Sequence, residues 1–174
     1  YFGLFAGLIE EKLPSGDEKR PTVAMIANGT SGDTWLADYK RSERRTFDRF
    51  SVANDVSAAA LKAFETIEYH QWLPLSMVEK ELDVPVRFPT DKEIKDAQQF
   101  VSEWIGERKP KTRDEVYAME TLILSKMPKS RLITLQAIKI GTLGIGAIPN
   151  EVFAETGLNI KKYSPFEMTY TISL

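Results

Sequence analysis

The sequence predicts a mixed α/β domain (α/β or α+β), with helices flanking a layered mixed sheet. Apolar stretches typical of strands alternate with amphipathic stretches typical of helices, and two segments carry the capping-box signature of a helix start. The chain has 174 residues, enough for one domain with a sizeable core, and its 43% hydrophobic and 28% charged residues are typical of a globular protein.

The first 68 residues predict two helices and one strand. Residues 4–13 have a helical apolar face and end at the breakers of residues 14–17. The nearly all-apolar residues 22–27 predict a strand buried on both faces, followed by a turn at residues 28–33. An apolar stripe along residues 51–68 then predicts a long helix.

In the middle of the chain, residues 81–88 alternate like a strand, which Pro85 should confine to a sheet edge. The signatures Thr90-Asp91-Lys92-Glu93 and Thr112-Arg113-Asp114-Glu115 predict the starts of two helices.

The C-terminal part predicts a hairpin, a helix and a final strand. Residues 132–140 and 143–148 read as strands around a tight turn at Gly141-Thr142. Asn150 is the expected N-cap of a helix over residues 151–162, and residues 168–174 alternate like a further strand.

Charge and composition exclude several classes of function. The net charge of −2 shows no basic excess, so we expect no nucleic-acid partner. Without cysteine the chain has no disulfide and no thiolate metal site. A basic cluster over residues 40–49 is a candidate for membrane-surface contact or an acidic partner, but interspersed Asp and Glu favour a solvated face.

Two turns are candidates for binding a ligand. In the turn at residues 28–33, two glycines leave backbone N–H groups free to face a ligand, and Asp33 adds a carboxylate. A plain β-turn with Asp33 as a cap is the structural alternative. In the second turn, Glu151 is expected in the first turn of a helix, as a metal ligand or a general base; ordinary helix-start chemistry is the alternative. The single histidine, His70, cannot build a zinc site alone.

Taken together, these segments resemble the neutral/alkaline non-lysosomal ceramidase family. The resemblance rests on the strand and Gly-Asp loop of residues 22–33 and on residues 136–166. In the latter, the strand Gln-Ala-Ile-Lys-Ile-Gly leads to an Ile-Pro-x-Glu turn and a helix ending Ser-Pro-Phe. Members of that family are zinc-dependent amidases that cleave the N-acyl bond of ceramide.

The resemblance implies a zinc cofactor with Glu151 as one ligand. Glu151 matches the Glu of the family's Pro-Gly-Glu turn, and Asn150 stands in place of the Gly. It implies that Gly32 and Asp33 shape the substrate site. The family's nucleophilic serine falls at Trp35, which leaves Ser31 as a weak substitute; a zinc-bound water could attack without a serine.

The family's two upstream histidines and its downstream tyrosine have no counterpart here, so we expect residues 1–174 to be a partial catalytic domain truncated at both ends. The function implied is a zinc-dependent amide hydrolase acting on ceramide-like lipids, secreted or at the cell surface. The alternative is a non-catalytic relative that binds lipid or glycan, or serves as structure, after losing its nucleophile.

Overall fold

The structure is a computed structural model that describes residues 1–35, 40–43, 46–102, 104, 106 and 109–173. Over these residues it contains five helices and four strands: α1 (Phe2–Lys12), α2 (Arg49–Phe64), β1 (Leu75–Pro85), α3 (Asp91–Ser102), α4 (Arg113–Leu124), β2 (Ser130–Ile140), β3 (Leu143–Ile148), α5 (Ala154–Tyr163) and β4 (Met168–Ser173). The strands form one sheet in the order β1-β2-β3-β4. The predicted α/β class with a mixed sheet is confirmed. No helix in the described ranges is long and apolar enough to cross a membrane.

Both kinds of strand pairing occur in this sheet. β2 and β3 are antiparallel and meet at Ile140↔Leu143. Gly141 forms the predicted tight turn with φ 59°, a conformation that suits glycine. β3 and β4 are parallel, from Leu143↔Met168 to Ile148↔Ser173, and α5 lies between them in the chain. A parallel pair needs such a crossover connection, whereas the hairpin needs only two residues.

The outer strand β1 confirms one prediction and corrects another. Pro85 is its last residue and β1 lies at the sheet edge, as predicted. The strand begins at Leu75, however, six residues before the predicted start at residue 81. All six residues 75–80 are exposed, and in their sequence Met77 and Val78 are adjacent, which breaks the apolar alternation on which the prediction relied.

The chain forms two compact units, the first comprising residues 1–79 and 135–174. In this unit α1 packs against α2, and Phe5, Ala53 and Ser57 are buried. Asp48 caps α2: its Oδ1 accepts hydrogen bonds from the Ser51 amide at 2.8 Å and the Phe50 amide at 3.0 Å. These bonds, the one from Ser51 foremost, hold the pKa of Asp48 below its ordinary value.

The second unit comprises residues 80–134, where α3 packs against α4. Both predicted capping boxes are present. The Glu93 carboxylate accepts from the Thr90 amide at 2.7 Å, and the Thr112 hydroxyl accepts from the Glu115 amide at 3.2 Å. Among the described residues of this unit, the buried apolar ones are Ala97, Val101 and Trp104.

Residues 22–27 correct a further prediction, because they form no strand. Val23 is 73% and Met25 87% exposed, so the segment is not buried on both faces. The segment is bonded to α1 and to the residue that follows it: the Glu10 carboxylate accepts from the Ala24 amide at 3.0 Å, and the Thr22 hydroxyl donates to the carbonyl of the C-cap residue Leu13. From an apolar run alone, the sequence could not show that this segment bonds to a side chain and to a helix end instead of to a neighbouring strand.

The basic cluster of residues 40–49 is described only in part, since positions 44 and 45 lie outside the described residues. Lys40, Arg41 and Arg49 are exposed, and the Arg49 guanidinium lies 4.9 Å from the centre of the Phe50 ring. Contact of this cluster with a membrane surface stays a prediction.

Candidate functional site

The first candidate turn, residues 28–33, is stabilised by hydrogen bonds of its own side chains and by a hydrogen bond to β4. The Asn28 carbonyl accepts from the Ser173 amide at 3.0 Å, and the Asn28 side-chain amide donates to the Ser31 hydroxyl at 3.0 Å. The Ser31 carbonyl accepts from both the amide and the hydroxyl of Thr34, each at 3.0 Å. Ser31 is therefore half-buried inside a hydrogen-bonded turn.

The second candidate turn carries Glu151 between two tight backbone bends. The Asn150 amide donates to the Ile148 carbonyl and the Val152 amide donates to the Asn150 carbonyl, both at 2.9 Å. The hydroxyl of Ser173 holds both sides of Glu151, because it accepts from the Val152 amide at 3.2 Å and donates to the Asn150 carbonyl. Ser173 is 2% exposed, so this hydroxyl is a fixed support beneath an exposed carboxylate.

The predicted helix start at residue 151 is wrong, because α5 begins at Ala154 with Phe153 in the N-cap position. Asn150 does not cap the helix, since its backbone takes part in the tight bends. Glu151 consequently lies before the helix, outside the first turn where the sequence placed it.

The cap of α5 comes instead from the other turn. Asp33 Oδ1 accepts from the Ala154 amide at 2.7 Å, which places a carboxylate at the positive end of the helix dipole. Asp33 therefore acts as a cap, as in the structural alternative that the sequence offered. The helix residue that it caps lies 121 residues further along the chain.

The two turns are in direct backbone contact. The Gly32 amide donates to the Val152 carbonyl at 2.9 Å. A Cβ at Gly32 would lie 2.9 Å from the carbonyl carbon of Glu151 and 3.2 Å from that of Val152, so only glycine allows this approach. A Cβ at Gly157 of α5 would likewise lie 3.0 Å from Cβ of Thr30. Residues 28–33 thus pack along the start of α5 and the turn before it.

The structure therefore brings together Gly32, Asp33 and the backbone of Glu151. Ser173 was not among the site residues predicted from the sequence. A pattern in β4 could have pointed to it, because Thr169, Thr171 and Ser173 place small hydroxyl side chains on the more buried face of that strand. Trp35, at the position where the resemblance expects a nucleophile, is 77% exposed.

The metal-ligating residues of the described chain do not form a cluster. No group of three or more His, Cys, Asp or Glu side chains arranged to hold a metal ion occurs among the described residues. A zinc site needs three protein ligands or more, so Glu151 fits such a site only as a single contributor.

The polar groups around Glu151 are committed to backbone contacts. Ser173 and the Gly32 amide bind the turn, and one oxygen of Asp33 binds α5. Glu151 is thus an exposed residue whose backbone is fixed by these hydrogen bonds.

No protein-family model and no curated protein sequence matches the chain. Among solved structures, the chain is similar to the crystal structure of neutral ceramidase from Pseudomonas aeruginosa, with a TM-score of 0.49 and 16% sequence identity. The match covers 97% of this chain and 33% of that one, so the chain spans about a third of the length of that protein. The similarity is distant, and the comparisons assign the chain to no family.

Proposed function

We propose that this chain is part of the catalytic domain of a zinc-dependent amide hydrolase acting on the N-acyl bonds of ceramide-like lipids. One observation supports the proposal above the others. The two segments that carry the sequence resemblance, residues 22–33 and 136–166, meet through the Gly32–Val152 and Asp33–Ala154 hydrogen bonds. The proposed site needs these two segments to be neighbours, and their contact is what supports it.

In this proposal Glu151 is one zinc ligand and Gly32 and Asp33 form the floor of the site. The other ligands must come from elsewhere in a longer protein, because the described residues hold no cluster of three ligating side chains. The contribution of this chain is to fix the backbone around Glu151 through Ser173 and Gly32.

Metal analysis of the full-length protein tests the role of Glu151. We expect Glu151→Ala to lower the zinc bound per chain, and Glu155→Ala to leave it unchanged. Glu155 is the matched control because it is an exposed glutamate four residues further on, in the first turn of α5. Equal zinc content in the wild type and both variants would refute the assignment of Glu151.

Ser31 is retained as the candidate nucleophile, with the Asn28 amide as its hydrogen-bond donor. An amidase assay with an N-acyl sphingosine and simpler amides tests it. If Ser31 attacks the substrate, Ser31→Ala abolishes turnover while zinc content is unchanged. Turnover that persists in Ser31→Ala and is lost with a chelator would favour attack by water.

The second candidate is a non-catalytic relative that binds lipid or glycan, and exposed Trp35 favours it because a large ring stands where the resemblance expects a serine. The same amidase assay separates the two functions. Binding of N-acyl sphingosine without any turnover would support the second candidate and contradict the first.

A further inference from the structure

A groove of about 410 Å³ lies on one face of the sheet in the first unit, alongside α5. We call it the α5 groove. Its volume falls within the range of about 300–1,000 Å³ that is usual for small-molecule sites. Its apolar lining includes Val78 of β1, Ala137 of β2, Gly146 of β3, Ile160 and Tyr163 of α5, and Phe166.

Small residues on neighbouring strands give the α5 groove its depth. Ala137 pairs with Gly146, and Lys139 pairs with Gly144, so these four positions share one face of the sheet. The ring of Phe166 lies directly on Gly144, with two ring atoms 3.0 Å from where a Cβ would be. At Gly146 the nearest such atoms, from Thr171 and Ile160, are 3.9 and 4.0 Å away, so no side chain covers this glycine as closely as Phe166 covers Gly144.

The lining carries one charged group, Lys139. It is half-buried, and no carboxylate of the described chain forms an ion pair with it. Two of the hydroxyls in the lining are already used: Ser164 and Thr169 bond to each other, and the Ser164 hydroxyl also accepts from the Phe166 amide. An ammonium beside an apolar floor, without an ion pair to a described carboxylate, can form a charge-assisted hydrogen bond with an incoming anion.

We propose that the α5 groove binds one long-chain carboxylate, with the alkyl chain along the floor and the carboxylate against Lys139. An apolar chain matches the Ala137 and Gly146 floor, and a single anionic head matches the single ammonium. The inference does not rest on the proposed amidase activity. The groove is lined by the C-terminal half of α5, whereas Glu151 lies before the first residue of this helix, which is about 15 Å long.

Binding to the full-length protein tests this proposal by titration calorimetry with laurate, myristate and palmitate, each below its micelle concentration. We expect saturable binding of one carboxylate per chain, weakening on the order of tenfold for each two methylenes removed. Hexadecanol and hexadecylamine have the same alkyl chain without the anion, and both should bind at least tenfold more weakly than palmitate.

Two variants and one matched control locate the site. Lys139→Met should weaken palmitate binding roughly 10- to 100-fold, the effect of losing a charge-assisted hydrogen bond. Ala137→Phe should abolish binding by filling the groove, and it should fold because Ala137 is exposed. Lys161→Met makes the same charge change at an exposed residue outside the groove lining and should bind palmitate like the wild type.

Several results would overturn the proposal. These are the absence of saturable binding, equal affinity for palmitate and hexadecanol, or equal affinity in the Lys139→Met and Lys161→Met variants. Failure of the proposed amidase function is a separate outcome, since Glu151→Ala should leave palmitate binding unchanged.

Discussion

Replacing Gly32 by alanine tests the contact between the two turns most directly. The added Cβ would lie 2.9 Å from the carbonyl carbon of Glu151, and closer still to its oxygen. These are backbone atoms that no side-chain rotation can move, so one turn must shift away from the other. The shift would break the 2.9 Å hydrogen bond from Gly32 to Val152.

The expected cost combines two effects. Overpacking typically destabilises by about 1–3 kcal/mol, and a lost hydrogen bond by about 0.5–1.5 kcal/mol. We therefore expect Gly32→Ala to lower the free energy of unfolding by about 2–4 kcal/mol. For a protein of this size that corresponds to a fall in Tm of about 4–16 °C.

Gly29→Ala is the matched control within the same turn. The nearest atom to its Cβ, the Thr171 carbonyl oxygen, is 3.7 Å away, an ordinary contact. Neither Gly29 nor Gly32 has a positive φ, so backbone strain does not separate the two variants. Urea and thermal unfolding followed by circular dichroism measure both. A Gly32→Ala protein as stable as the wild type, or a Gly29→Ala protein equally destabilised, would refute the described contact.

Three further predictions concern helix ends and packing. Thr112→Ala should lower the free energy of unfolding by about 1 kcal/mol, because the Glu115 amide loses its acceptor; an unchanged urea midpoint would contradict this. Because the folded-state pKa of Asp48 is lowered, the cap stabilises α2 fully above pH 3.8, the ordinary pKa of this carboxyl group. This stabilisation is lost as the pH falls through the lower pKa of the folded state. In an acid titration of stability, Asp48→Asn should remove that loss, and an identical titration curve would argue against the cap. Gly157→Ala should destabilise by roughly 1–3 kcal/mol through overlap with Thr30, and by less in a Thr30→Ala background. A double-mutant cycle measures that difference, and zero coupling would contradict the contact.

The parts of the fold that the sequence predicted well are those set by local chemistry. The capping boxes at Thr90 and Thr112 need only residues three apart, and both are present. The hairpin at Gly141 likewise depends on a short turn between two apolar strands. Such features are decided within a few residues, so the sequence pattern suffices to predict them.

The parts that failed are set by distant partners. Residues 22–27 have a strand-like composition, yet the Ala24 amide bonds to the Glu10 side chain instead of to a neighbouring strand. Asn150 is a good N-cap residue by type, but Asp33 supplies the cap and α5 begins four residues after Asn150. Ser173 supports the Glu151 turn across 21 residues, a relation that no local pattern reveals.

The support of Glu151 by Ser173 has a consequence for the timing of folding during synthesis. The Glu151 turn needs Gly32 on one side and Ser173 on the other, so it cannot reach its final geometry before β4 has left the ribosome. The helix pair α1–α2 uses only residues from the first 64 and can pack long before that. The candidate site is therefore assembled late, after the helix pair α1–α2 has been able to pack. A nascent chain stalled before Ser173 would carry Glu151 without the backbone geometry that holds it.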